Sequence, residues 1–271
     1  PNHHMYYKNA SDGKLMESKA DHIVIKTKPI GKFFIRPNMI LPRKTEQHIT
    51  ELDLKKFTNE LDYQNWYLRV NTFDKLDINL FARLLGYYIA DGSIFQSNKT
   101  SQALTCSIAK LKSHEDRIKL ENLLDTIGLK YNKSHLEVKF NHFELAKALK
   151  YFGGVHAKNK KIHPIIFDIF PDSALQNLFE ALMLCDGNER GLKKDSFAYT
   201  TISDQLSDDI LKLGKILGYY VHRNYYNPKN DSYNRLIRVS LSNSPQNVKV
   251  TDFELIPYVG YVYDITVKKN H

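Results

Sequence analysis

The chain has 271 residues, 42% of them hydrophobic, with 39 Lys plus Arg against 30 Asp plus Glu, a formal charge of +9 and a sequence pI near 9.2. That length supplies ample core and allows two domains, while no apolar run reaches the roughly eighteen residues of a membrane span and the opening PNHHMYYKNASDGK lacks the apolar stretch of a secretory signal. A soluble, intracellular protein with a phosphate-rich partner and no membrane is expected, and Cys106 and Cys185, far apart and without a CxxC spacing, promise neither a disulfide scaffold nor a zinc site.

In chain order, the stretch ITELDLKKFTNELDYQNWY predicts a short helix from about Glu51 within a linker running from Thr45 to Asp74, with Trp66 packing it onto a neighbour. Next comes LLGYYIADG, Leu84 to Gly92, a short apolar helix ending on Asp-Gly. It is followed by a strand ALTCSIA (Ala103 to Ala109), a helical stretch from about His114 to Ile127, Gly128, and a strand HLEVKF (His135 to Phe140). A basic connection, VHAKNKKIHPIIFDIFPDS (Val155 to Ser173), leads to FEALMLCDG, Phe179 to Gly187, again an apolar helix ending on Asp-Gly. The same series then recurs: FAYTTIS (Phe197 to Ser203), a helical stretch from about Asp204 to Leu217, Gly218, and RLIRVSL (Arg235 to Leu241). Gly128 lies 37 residues after Asp91 (128 − 91) and Gly218 lies 32 after Asp186 (218 − 186), and the extra five fit a hairpin around Gln96 to Ser101.

A carboxylate at a helix C-terminus faces the negative end of the macrodipole, at a cost of about 0.3–1 kcal/mol, so Asp91 and Asp186 both ask for a reason. Small residues four apart, Gly86 with Ala90 and Ala181 with Cys185, put one narrow face on each helix, where two backbones can approach closely. Packed side by side and parallel, the helices would bring both acids to one end of the seam, where each raises the other's pKa and a hard divalent cation relieves the conflict. The alternative is two ordinary buried helices with glycine caps.

The strands alternate with period two. In the second copy Ile237, Val239 and Leu241 oppose Arg238, Ser240 and Ser242; in the first, Leu136, Val138 and Phe140 oppose His135, Glu137, Lys139 and Asn141. Polar faces carrying Lys139, His135, Arg238 and Ser240 are candidates for reading a DNA major groove, and equally describe any solvated sheet face.

Over about residues 76 to 244 these features resemble the two-repeat LAGLIDADG homing endonucleases, whose signature helices end in this Asp-Gly pair. The last acid of the signature, which binds metal in the family, is intact in both copies; the penultimate acidic position holds Ile89 and Leu184, and Cys185 stands where a small residue is usual. The resemblance implies an α+β fold of two pseudo-twofold αββαββα repeats, about 76–152 and 172–244, with saddle-shaped antiparallel sheets. It implies a monomer that makes a metal-dependent double-strand break in a long, asymmetric target on double-stranded DNA. Asp91 and Asp186, helped by the backbone carbonyls of Ala90 and Cys185, would hold two or three Mg²⁺ ions at the scissile phosphates. It also places a lysine in the active site two residues ahead of an Ile in a Lys-x-Ile-Pro pattern; Lys160 matches, and because His163 is inserted before Pro164, Lys161 is an open alternative. An RNA-binding maturase and a catalytically silent DNA-binding regulator use the same framework.

The flanks, PNHHMYY and YVGYVYDITVKKNH, resemble two splicing-domain blocks of inteins, the Hint fold. On that match His3, Asp264 and His271 are block residues, and residues 1–43 and 244–271 pair into a small all-β remnant. The sequence given begins after any nucleophile and stops before a terminal His-Asn, so as given it does not splice; splicing as the main role of a longer precursor is a further reading.

Overall fold

The computed structural model describes residues 4–9, 15–19, 32–35, 48–57, 73–96, 104–110, 115–189, 196–226, 235–243 and 247–249, with backbone alone for 4–9, 15–19, 32–35, 188–189 and 247–249. The chain divides into two compact units, Pro1–Pro37 with Pro245–His271, and Asn38–Ser244. In the first, strands β1 (His4–Asn9), β2 (Leu15–Lys19) and β3 (Lys32–Ile35) form one antiparallel sheet with the last described strand of the chain, Asn247–Lys249, in which that last strand pairs with β3. Strands from both ends of the chain therefore share a sheet. His3, Asp264 and His271, and Trp66 of the linker, lie outside the described residues.

The second unit opens with β4 (Glu51–Asp53), a tight turn of 3₁₀ helix at Leu54–Phe57, and β5 (Lys75–Asp77), which pairs with β4. A helix from Glu51 is not what forms. Leu52 sits directly across from Leu76, and both, with Leu54, are buried in the core, so the alternation Glu-Leu-Asp-Leu is satisfied by an extended chain.

Helix α1 (Ile78–Asp91) starts on Asp77, whose Oδ1 accepts from the N–H groups of Asn79 and Leu80 at 2.9 and 3.0 Å. It ends straight into β6 (Gly92–Gln96), followed by β7 (Leu104–Ala109), α2 (Glu115–Ile127), β8 (Tyr131–Lys133), β9 (Glu137–Asn141) and α3 (Phe143–Gly153). After the short α4 (Ile166–Ile169) comes α5 (Asp172–Asp186), then β10 (Gly187–Glu189), β11 (Ser196–Thr201), α6 (Asp204–Ile216), β12 (Tyr220–Tyr226) and β13 (Leu236–Ser242). The two four-stranded antiparallel sheets have matching orders, β6-β7-β9-β8 and β10-β11-β13-β12. The helices α2 and α6 also end alike. Gly128 and Gly218 take positive φ, and the bonds Leu129 N–H to Leu124 C=O and Tyr219 N–H to Gly214 C=O close the same C-terminal turn.

Four strands of these sheets, β6, β8, β10 and β12, are not placed by the sequence reading, and the predicted strand from His135 starts late. Residues 135–136 form a bend and Leu136 is 62% exposed, whereas Val138 and Phe140 are buried. His135 therefore stands in the turn between β8 and β9 and not on a sheet face.

The centre of the unit is the seam between α1 and α5. A methyl placed on Gly86 would lie 2.5 Å from Ala181 Cβ and 2.9 Å from the Leu178 carbonyl oxygen, distances no packed atom pair sustains. Gly86 is five residues before Asp91 (91 − 86) and Ala181 five before Asp186 (186 − 181), and both aspartates line one cavity, so equal heights on the two helices touch and the helices run parallel. Around them Phe81, Leu85, Tyr88, Leu178 and Leu182 are almost fully enclosed. Gly86→Ala is expected to cost about 1–3 kcal/mol by overpacking. Urea unfolding reads this as a lower midpoint at unchanged slope; a parental midpoint would mean that the helices do not meet there.

Candidate active site

Each seam helix ends on an aspartate because the next residue is a glycine that turns at once into a strand. Gly92 and Gly187 are extended, and a Cβ on either would collide with the last helical turn, against Tyr88 and Met183 respectively. The abrupt turn leaves Asp91 and Asp186 together in a cavity of about 670 Å³. The same cavity is lined by Ser93 and Phe95 from one sheet and Thr200 and Leu236 from the other, so it reaches from the helix ends to both sheets.

The electrostatic problem of two acids at two helix C-termini is met by neighbouring donors. Lys110, the residue after β7, places Nζ 2.5 Å from Asp91 Oδ2. Burial alone would lower the Lys110 pKa, but its ion pair with Asp91 and the nearby Cys185 sulfur raise it, so the ammonium is secure. Its main chain is fixed too: Arg117, 2% exposed, donates from Nη1 to the Lys110 carbonyl at 2.7 Å and from Nη2 to the Ser134 carbonyl at 3.2 Å, while Nε pairs with Glu121 at 2.6 Å. Asp186 instead accepts from the Tyr199 hydroxyl at 3.2 Å. Although Asp186 opens onto the cavity, the protein packed around its carboxyl, with the charge of Asp91 behind it, holds the group above its usual range.

Lys160 is 5% exposed and lines this cavity. Its ammonium donates to the carbonyls of Tyr88 (2.6 Å) and Gly92 (2.9 Å) and lies 3.5 Å from the centre of the Tyr88 ring. Burial pushes its pKa down to about 8. A cation on the last carbonyls of α1 offsets the dipole end that Asp91 opposes. Lys160 is itself clamped, since its carbonyl accepts from Ser203 Oγ at 2.7 Å and the next-but-one N–H, that of Ile162, donates to Asp209 at 2.8 Å. Lys161 faces a different cavity, beside Tyr151 and Ile165. Ala90 lines the aspartate cavity; the Cys185 thiol, its pKa pushed up to about 12 by burial, meets Lys110.

Sequence reasoning overlooked Lys110 and Tyr199. Both stand on or just after the strand that pairs with the glycine of each Asp-Gly: Gly92 lies opposite Ile108 and Gly187 opposite Tyr199. Counting two residues along a predicted strand would have brought Lys110 to the acid.

The donor set suits a hard cation. Mg²⁺ commonly takes one or two carboxylates and completes its shell with water and substrate phosphate oxygens, which two acids in a roomy cavity permit. Among the described residues no three His, Cys, Asp or Glu side chains are grouped to close a site around a metal.

The polar sheet faces are only partly as read. Lys139, on the face with Ser107 and Asn132, is ion-paired to Glu137 at 2.5 Å, and its charge is largely matched. Ser240, flanked by Ala198 and His222, is 6% exposed and not an open groove residue: the neighbouring strands crowd a short side chain. Arg238 is half-buried one pair away, beside Thr200 and Asn224. Arg238 Nε and Ser240 Oγ have no hydrogen-bond partner among the described residues.

The raised pKa of Asp186 fixes a sign. The folded state holds this proton more tightly than the unfolded chain, so the contribution to stability is full below the ordinary value of 3.8 and is lost as pH rises through the folded value. In EDTA, Asp186→Asn should melt above the parent at pH 7, and the gap should close in acid below that ordinary value. A lower melting temperature for the variant at pH 7 would contradict the burial and repulsion described.

No family model matches the chain, and no curated protein does. Among solved structures the fold is similar to mesophilic variants of the homing endonuclease I-DmoI (TM-score 0.45, 14% identity, 61% of this chain and 89% of that one). It is also similar to the homing endonuclease I-WcaI bound to its DNA recognition sequence (TM-score 0.38, 14% identity, 68% and 81%). A third likeness is to the N-terminal LAGLIDADG domain of DUF199/WhiA (TM-score 0.38, 12% identity, 75% and 86%).

Proposed function

We propose that the second unit is a divalent-cation-dependent endonuclease of the homing type, which hydrolyses double-stranded DNA at a long, asymmetric site as a monomer. What supports this reading above all is the pair Asp91 and Asp186, delivered by two helix ends into one cavity that Lys160 also lines, with Lys110 paired to Asp91 from behind the cavity wall. Asp91 and Asp186, with the carbonyls of Ala90 and Cys185, would hold two or three Mg²⁺ ions, which when bound polarise the phosphate and lower the pKa of water. Lys110 keeps its proton and, on the buried side of Asp91, offsets the carboxylate's charge and sets its orientation toward the cavity. Tyr199 orients the Asp186 carboxylate, and Lys160 fixes the last turn of α1 from behind through the Tyr88 and Gly92 carbonyls. These are positioning roles.

A two-stranded ribbon fits a major groove, and each half of the unit offers a sheet with a polar face next to the cavity. Arg238, half-buried on the polar face of β13, is a candidate for a base or phosphate through its guanidinium, and the net charge of +9 supplies general attraction. The sheet built from both chain ends supports an origin inside a splicing domain, with His3, Asp264 and His271 as its remnants.

Incubation with a randomised duplex library in Mg²⁺, followed by sequencing of cut ends, is expected to return one extended asymmetric site, and EDTA to abolish cutting. Asp91→Asn and Asp186→Asn should each remove cleavage while leaving duplex affinity within a few-fold; Lys110→Gln should slow cleavage by about 10²-fold, the scale of a misplaced catalytic group. Parental cutting by either aspartate variant, or binding of structured RNA far above duplex DNA, would overturn the reading.

A further inference from the structure

A backbone outlier stands at the wall of the aspartate cavity. His156 has φ 59° and ψ 146°, and among the described residues it is the one non-glycine residue with a positive φ. An L side chain takes up this conformation only where its surroundings impose it, and strain of this kind gathers at functional sites. The surroundings here are firm. Gly154, at φ 73°, donates its N–H to the Lys150 carbonyl at 3.0 Å, and its own carbonyl accepts from the Tyr88 hydroxyl at 2.6 Å. The His156 carbonyl accepts from the Asn159 N–H at 3.0 Å, and the Lys161 N–H returns to the Gly153 carbonyl at 3.1 Å. The short stretch between Gly154 and Lys160 is therefore pinned at both ends. His156 stays exposed within it and lines the same cavity as Asp91 and Asp186. The other groups of that cavity able to carry a proton are committed: Asp91 pairs with Lys110, Asp186 with the Tyr199 hydroxyl, and Lys160 with the Tyr88 and Gly92 carbonyls. Among the described residues the His156 ring has no hydrogen-bond, ion-pair or ring partner. Imidazole is the side chain that takes up and gives away a proton near neutral pH.

We infer that His156 is a catalytic residue, which hands a proton to the sugar oxygen that departs from the cut phosphate. The inference rests on the endonuclease reading, which provides for the attacking water and the phosphate but leaves the departing oxygen without a proton donor. The step balances. The water oxygen bonds to phosphorus, the phosphorus–oxygen ester bond breaks with its electron pair on the departing oxygen, and that oxygen takes the proton of the imidazolium. The proton shed by the attacking water then restores the imidazolium, so that one water has been added across one ester bond. A general acid of this kind contributes about 10²–10⁴ in rate. The strained main chain has a use on this reading, since it fixes where the ring projects at the cavity wall.

The test compares the full chain in Mg²⁺ with His156→Gly, which suits a positive φ, and with His156→Gln, which keeps a polar side chain and gives up the transferable proton. The substrate is a duplex bearing the site recovered from the randomised library, either all-oxygen or with sulfur in place of the departing oxygen at each scissile phosphate in turn; the termini of the cut ends identify that oxygen. His156→Gly should melt at or above the parental temperature, because the strain is gone, and both variants should cut the all-oxygen duplex about 10²-fold or more slowly than the parent. Sulfur departs as a thiolate without needing a proton, so at least one sulfur-bearing strand should be slowed by no more than about threefold. Free imidazole should speed His156→Gly by about tenfold or more and leave Asp91→Asn inactive. Parental cutting by His156→Gly, or equal slowing of the oxygen and sulfur duplexes, would overturn the role of His156 and leave the nuclease reading intact. Absence of any cut by the parental chain would overturn both.

Discussion

Everything in the central unit depends on how closely α1 and α5 approach. At Gly86 the two backbones leave no room for a single methyl group, and that contact sets the helices parallel and at equal height. Once this is fixed, the positions of Asp91 and Asp186 follow, because each helix ends on its aspartate five residues later, before a glycine at which a side chain would collide with the last turn. The surrounding packing enforces the seam from outside. Phe81 meets Phe152 and Phe170 edge-on, and Phe179 stacks on Tyr219, so each helix is wedged against its own half.

That geometry concentrates negative charge. Two carboxylates and two helix C-termini meet in one cavity, and the surrounding residues answer with different means on the two sides. On one side, ammonium groups are brought in by segments distant in sequence: Lys110, held by Arg117, and Lys160, held by Ser203 and Asp209. On the other, a phenol from the adjacent strand suffices to orient the acid, and part of the conflict persists as a raised pKa at Asp186. A resident charge conflict of this kind is what a cation site needs in its unloaded state. Ligands that repel one another in its absence gain from its arrival.

Much of the framework could be read in advance. The recurring apolar run with small residues four apart and terminal Asp-Gly located the seam and both acids, because helix periodicity and glycine sterics are local properties of sequence. Gly128 and Gly218 marked two helix ends for the same reason. Facing was harder. Leu136 fits the period of its strand yet lies in a bend, and Ser240 fits the polar side yet is covered by its neighbours; burial there is decided by strands far along the chain. The role of Lys160 was hidden likewise. A basic connection identifies a cation near the site, but only packing against Tyr88 turns that cation inward, to main-chain carbonyls.

The other unit carries a consequence for how the chain matures. β3 is joined edge to edge with a strand beginning at Asn247, while the interposed unit is complete by Ser244. During synthesis the interior body has every contact it needs before its host sheet can close. For a slack connection each doubling of length adds about 0.6 kcal/mol to closure, and a connection that has already condensed behaves as a much shorter tether. The unit of residues 38–244 then assembles first, and the sheet that flanks it in sequence closes only when the strand Asn247–Lys249 has been made.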